Sequence, residues 1–168
     1  MADIAADIAA LVAALTADEP AARAEAAETL CRAGTDAVAA AVPLVKACGD
    51  ADDQVREWAV AALEELGPPP ATAISELTAL AGGAHPLVAY WATTLLGRSG
   101  KAAAAATPTL AKSLESGGDP AVAERAAWAL GKIGPAAAAA KPALERSAAA
   151  SSPRLSRLAQ EALTAIGS

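Results

Sequence analysis

Residues 54–67 read QVREWAVAALEELG, and the spacing of their apolar positions decides the fold. Val55, Ala59, Ala62, Leu63 and Leu66 fall at i, i+4, i+7, i+8 and i+11, which is one apolar face of a 3.6-residue helix. The stretch closes on Gly67, and four others close alike: ETLCRAG at Gly34, TLLGRSG at Gly100, WALGKIG at Gly134 and EALTAIG at Gly167. The intervals between these glycines are 33, 33, 34 and 33 residues. Four residues before each stands a leucine (Leu30, Leu63, Leu96, Leu130, Leu163), and eight before, an alanine (Ala26, Ala59, Ala92, Ala126, Ala159). Ten residues after each inter-repeat glycine comes another leucine, Leu44, Leu77, Leu110 and Leu144, with Leu11 as its equivalent in the first unit. Such self-similarity is the mark of a repeat architecture.

Each unit holds two helical segments, so the register predicts ten helices. Asp119-Pro120, Ser152-Pro153 and His85-Pro86 share one column and supply a cap followed by proline at the first helical position. The terminal glycine suits a left-handed C-cap. Pro68-Pro69-Pro70 opens the third unit and predicts a shorter or differently angled first helix there. Units of this size cannot bury their apolar faces alone and must stack. The expected fold is therefore all-α, a single domain of five stacked two-helix repeats at about 1–34, 35–67, 68–100, 101–134 and 135–168.

Composition agrees. Of 168 residues 54% are hydrophobic but only 2% aromatic, and alanine alone accounts for 53, so helix propensity is high and bulky β-formers are scarce. That argues against a sandwich, a barrel or a Rossmann sheet. Alanine buries little area per residue, which requires close approach between backbones. The net charge of -6 disfavours nucleic-acid phosphates as partners. Charge is also uneven: residues 1–84 carry four basic and 14 acidic side chains, residues 85–168 nine and five. This polarity suggests salt-sensitive head-to-tail association of copies. The opening MADIAADIAALVAAL lacks a basic leader and carries Asp3 and Asp7, and no long uninterrupted apolar run follows. With two cysteines and no membrane segment, the expectation is a soluble, cytoplasmic protein.

QVREWAVAALEELG and AVAERAAWALGKIG (residues 121–134), together with the proline-bearing first helices AAAVPLVKA, AAATPTLAKSL and AAAKPALERS, resemble HEAT repeats, in particular the short HEAT-like repeats of phycobilisome lyase subunits. The resemblance covers nearly the whole chain and implies an α-solenoid wound as a right-handed superhelix. It says little about chemistry, since the repeat serves adaptors, lyase subunits and a few enzymes. The family's arginine after valine stands at Arg56, with Arg23 in the same column, but Ala89, Ala123 and Ser156 replace it later, which puts a continuous arginine-to-aspartate ladder in question for the C-terminal half.

Catalytic candidates are few. His85 is the sole histidine and falls in the capping column, and no second histidine completes a dyad or a metal set. Cys31 and Cys48 fall where small buried hydrophobes are expected. Asp50, Asp52 and Asp53 lack the spacing of a calcium loop and read as a capping turn. Neither a cofactor nor a metal site is expected.

The aromatics carry more information, because all four lie in second helices outside the core columns. Counted back from each glycine, positions 13, 9, 6 and 2 form a separate stripe: Gln54, Trp58, Ala61 and Glu65 in the second unit, Leu87, Trp91, Thr94 and Arg98 in the third, Ala121, Arg125, Trp128 and Lys132 in the fourth. Tyr90 borders it. The resemblance implies that second helices line a concave surface and that these columns face the ligand, placing Trp58, Trp91 and Trp128 on consecutive rungs. The rim would be acidic at Glu25, Glu28 and Glu57 and basic at Arg98, Lys132, Arg154 and Arg157. Tryptophan, tyrosine and arginine dominate binding energies at protein surfaces. Indoles filling gaps between alanine-rich repeats are the competing reading.

The leading expectation is a non-catalytic scaffold holding a protein or peptide segment in the groove. The alternatives are an enzyme or enzyme subunit of HEAT-like fold, such as a bilin lyase subunit or a DNA alkylbase glycosylase with Glu124 as its acid, and an engineered binding scaffold. A nucleic-acid enzyme would need a more basic surface than the N-terminal half offers.

Overall fold

The leucines and alanines of the columns above build the interior of the protein. The computed structural model describes residues 2–115 and 118–167, with side chains from residue 7 onward, so the side chain of Asp3 lies outside the described residues. Leu30, Leu63, Leu96 and Leu130, and likewise Leu44, Leu77, Leu110 and Leu144, are fully buried. Ala59, Ala92, Ala126 and Ala159 are as deeply enclosed. Leu11 and Leu163, in the same columns of the outer repeats, are half-buried.

The described residues form ten α-helices and no strand, two helices to a repeat as the glycine register predicts. They pack as two compact units, Met1–Ala73 and Ile74–Ser168. The division falls inside the third repeat, just after the three prolines. The first unit contains α1 (Ala2–Ala14), α2 (Pro20–Ala33), α3 (Ala41–Ala47) and α4 (Asp53–Glu65). Here α2 lies against α4, with α1 on α2 and α3 on α4. The second unit contains α5 (Ile74–Ala81), α6 (Pro86–Arg98), α7 (Thr107–Glu115), α8 (Pro120–Ile133), α9 (Lys141–Ala148) and α10 (Pro153–Gly167). Its second helices α6, α8 and α10 run side by side as one layer, and α5, α7 and α9 back them as the other.

The caps follow the sequence. Asp52 Oδ1 accepts from the backbone N–H groups of Gln54 (2.9 Å) and Val55 (3.2 Å), and Asp119 Oδ1 from those of Ala121 (2.8 Å) and Val122 (3.3 Å). His85 Nδ1 accepts from Val88 N–H at 3.4 Å, so the only histidine closes the start of α6. The C-termini differ from the expected left-handed cap. Gly34 and Gly134 have φ of 56° and 71° but ψ of -127° and -144°, outside the left-handed helical region, and they open 3-10 segments, Gly34–Ala40 and Gly134–Ala140. Only glycine holds that backbone without strain. Gly67 has no positive φ, since α4 ends two residues earlier and Leu66 already leaves it in extended conformation (φ -70°, ψ 131°), and Gly167 is simply the last residue of α10. The three prolines act on the connector: the 3-10 segment of the third repeat is Ala71–Ala73, three residues against seven in its counterparts, while α5 keeps eight residues.

The arginine column works in the first unit alone. Arg23 Nε and Nη2 donate to the two carboxylate oxygens of Asp50, both at 2.8 Å, and Nη1 donates to the carbonyls of Ala17 (2.9 Å) and Asp18 (3.0 Å). One step on, Arg56 donates to the carbonyls of Asp50 (2.6 Å) and Ala51 (3.0 Å) and to the Asp53 carboxylate. Hydrogen bonding to Arg23 holds the Asp50 carboxyl below the ordinary carboxylate range. In the second unit Ser156 Oγ makes a smaller substitute bond to the Ala148 carbonyl at 2.6 Å. Beside Ala89 the column is empty, and a cavity of about 400 Å³ lined by Gly83, Ala84, Ala89 and Asp119 opens there.

Candidate functional site

On the second-helix layer of the second unit, three rings stand on α6 and α8: Tyr90, Trp91 and Trp128. Trp128 projects from α8 toward α6 and lies over Gly97. A Cβ built on Gly97 would stand 2.2 Å from Cζ3 of the indole, so no other residue at 97 leaves the ring in place. Gly131, one turn further along α8, is in similar contact with Ala162 of α10: its added Cβ would be 3.2 Å from the Ala162 Cα. These two glycines occupy one column, three residues before the repeat-ending glycines, and set the close approach of α6, α8 and α10.

Arg125, one turn before Trp128, is held between two rings. Its guanidinium carbon is 4.6 Å from the Tyr90 centroid and 5.0 Å from that of Trp128, and a guanidinium nitrogen donates to the Tyr90 hydroxyl. Lys132 Nζ lies 5.9 Å from the Trp128 ring on its far side along α8. Tyr90 in turn meets Trp91 edge to face, with centroids 5.7 Å apart, and Arg98 covers Trp91 at 5.9 Å. Cations over aromatic faces attract the ring quadrupole and fix the long side chains.

Charge around Trp128 is uneven. Glu124 pairs with Arg154 at 3.1 Å and Glu161 with Arg157 at 2.6 Å, so both nearby carboxylates are neutralised by arginines of α10. Among the described residues, Arg125 and Lys132 take part in no ion pair. Two cavities of about 260 Å³ each flank the indole between α8 and α10. One is lined by Tyr90, Glu124, Arg125, Arg154 and Leu158, the other by Ala127, Gly131, Lys132, Leu158, Glu161, Ala162 and Ala165. Trp128 and Leu158 border both.

Of the residues singled out by sequence, the structure therefore brings Tyr90, Trp91, Arg98, Arg125, Trp128 and Lys132 into one cluster, while Arg157 pairs with Glu161 on α10. One correction is needed. Trp91 is only 7% exposed and belongs to the interior, whereas all four aromatics were expected outside the core. Its neighbours Ala89 and Ala92 are buried too, and the indole fills volume that alanine helices leave open. Trp128 and Trp58 are half-buried. In the first unit Glu57, Trp58 and Glu65 lie on α4 and Glu25 and Glu28 on α2, where Glu28 pairs with Arg32 at 2.6 Å. Cys48 is buried as expected, but Cys31 is only half-buried. Gly97 and Gly131 were not singled out. Their signal was present in LLGRSG and ALGKIG, where a second glycine precedes the terminal one by three residues.

No group of three or more histidine, cysteine, aspartate or glutamate side chains is placed to hold a metal ion among the described residues. No described helix is long and apolar enough to cross a membrane.

Known structures share this fold. A designed armadillo repeat protein in complex with the peptide (KR)4 superposes with a TM-score of 0.69 at 22% identity, over 93% of this chain and 80% of that one. An engineered protein gives 0.66 at 24% identity, over 96% and 80%. The complex of CpcE and CpcF of phycocyanin lyase from Nostoc sp. PCC7120 gives 0.61 at 19% identity, over 95% and 99%. At these identities the likeness is one of fold. No curated protein sequence matches the chain. The family profile for HEAT repeats, however, matches residues 8–82 and 74–164, nearly the full length. The leucine and alanine columns, the capped second helices and this match agree: the chain belongs to the HEAT-repeat family of α-solenoid proteins.

Proposed function

We propose that the protein is a non-catalytic scaffold that holds a peptide or protein segment on the second-helix layer, with Trp128, Arg125 and Tyr90 at its centre. The observation that carries this reading is the half-buried indole of Trp128 with an open cavity on each side and an arginine held over its face. Rigid aromatic anchors beside recesses are where binding energy concentrates, because they bury area at little entropic cost. The reading draws further support from the fold, which is shared with designed repeat proteins, one of them in complex with a peptide. A protein partner also suits the net charge of -6 better than a nucleic acid does. The sole histidine is committed to capping α6, which favours binding over acid–base chemistry. The two cysteines are free thiols, in keeping with a reducing, cytoplasmic setting. Unlike charge on the two units favours association of copies at low salt as a secondary property.

Selection of peptides from a random displayed library tests the proposal. The intact chain should enrich a family of related sequences, and Trp128→Ala, checked for native helicity, should not enrich it. Equal enrichment by both proteins would move the binding site away from Trp128, and no enrichment by either would overturn the scaffold reading.

A further inference from the structure

Resting on that reading, we infer that the segment held at Trp128 is acidic: it presents a carboxylate to Arg125 or Lys132 and places an aliphatic side chain in the recess between Trp128 and Leu158. The charge balance of the surface leads to this. Helices α8 and α10 carry four cations, and two of them, Arg154 and Arg157, are already matched by Glu124 and Glu161, whose carboxylates line the recesses beside the indole. The remaining two, Arg125 and Lys132, stand on opposite sides of the ring along α8, each held by the aromatic face and neither by a carboxylate. A cation fixed over an aromatic ring keeps its charge but has N–H donors to spare. The planar guanidinium of Arg125 uses one on the Tyr90 hydroxyl and leaves others for a carboxylate fork.

The shape agrees with the charge. The recess on the Lys132 side has a floor of Ala127, Gly131, Ala162 and Ala165, all small, with Trp128 and Leu158 as walls. Gly131 and Ala162 bring the two helices close together beneath it. A branched aliphatic side chain fits such a recess, while its neighbours along an extended segment reach the two cations. A basic segment would bring like charge against Arg125 and Lys132 with no free carboxylate to receive it, and like-charge contact at an interface is what rejects wrong partners. An acidic segment is opposite in charge to the (KR)4 peptide found in complex with the designed armadillo repeat protein of similar fold.

Calorimetric titration of the full chain with three synthetic peptides of equal length, alternating leucine with glutamate, lysine or serine, tests the inference. The glutamate–leucine peptide should bind about tenfold or more tighter than the other two, with a margin that shrinks as salt rises. Lys132→Glu, a change at an exposed position, should weaken the glutamate peptide and strengthen the lysine peptide. Arg125→Gln should remove most of the remaining margin, and if that variant loses its helicity the Lys132→Glu reversal decides alone. A lysine or serine peptide that binds as tightly as the glutamate peptide overturns the acidic preference and leaves the scaffold reading intact. Failure of all three overturns the acidic inference, and the library selection then judges the scaffold reading separately.

Discussion

The Trp128 indole lies on the bare backbone of Gly97, so close that a methyl group at 97 would stand 2.2 Å from Cζ3 of the ring. Glycine inside a helix ordinarily costs about 1 kcal/mol relative to alanine. At Gly97 that cost is offset by seating a tryptophan between α6 and α8. Gly97→Ala should therefore destabilise by about 1–3 kcal/mol, despite its better helix propensity. In a Trp128→Ala background the same change should be neutral or stabilising. Denaturant midpoints for the four proteins of this cycle measure the coupling, and an identical effect of Gly97→Ala in both backgrounds would show that the ring and the glycine are energetically independent.

Trp91 and Trp128 should separate on stability although both lie in the aromatic stripe. Trp91 is 7% exposed, and its truncation should cost about 3–5 kcal/mol, comparable to the roughly 2–5 kcal/mol expected for Leu110→Ala in the buried leucine column. Trp128→Ala, removing a half-buried ring, should cost distinctly less. Chemical denaturation of the three variants ranks them, and a Trp128→Ala midpoint as low as that of Leu110→Ala would assign the ring to packing alone.

How much of this was legible beforehand depended on whether a feature was periodic. The leucine and alanine columns, the caps at Asp52, His85 and Asp119 and the loss of the arginine ladder after Arg56 repeat at fixed spacing, so the sequence exposes them. Trp91 and Trp128 sit in neighbouring columns of one stripe, and periodicity cannot tell which indole will be enclosed, since that depends on the residues of adjacent repeats. Gly97 and Gly131 were visible as letters but not as neighbours of Trp128 and Ala162. Periodicity suggests one conformation for the terminal glycines, yet Gly67 departs from Gly34 because α4 ends earlier, with Leu66 already extended. The ion pairs that neutralise Glu124 and Glu161 needed the geometry of α10, which no spacing rule supplies.

The Arg23–Asp50 pair should give the first unit a dependence on pH. The folded-state pKa of Asp50 is depressed, so its stabilisation is complete above the unfolded aspartate value of about 4 and is lost as pH falls through the lower folded value. Asp50→Asn should lower stability at neutral pH and flatten the acid limb of the stability curve. Thermal melts of both proteins from neutral pH down to strong acid report the difference, and parallel curves would show that the pair contributes nothing to the pH dependence.

The two thiols should differ in reactivity. Burial pushes the Cys48 thiol up to about 12, while Cys31 is half-buried. A thiolate is the reactive form, so an aromatic disulfide reagent should titrate Cys31 in the native protein and Cys48 only after denaturation. Labelling of Cys48 as fast as Cys31 in the native state would contradict the burial assigned to it.

The claim that Trp128 faces a ligand while Trp91 serves the interior is tested most directly by the three indole N–H resonances of the 15N-labelled protein, one each from Trp58, Trp91 and Trp128. With assignments made by single substitution, addition of the glutamate–leucine peptide is predicted to shift the Trp128 resonance progressively to saturation and to leave that of Trp91 in place. A Trp128 resonance that stays put while the peptide binds, or a Trp91 resonance that moves as far as it does, would contradict the account.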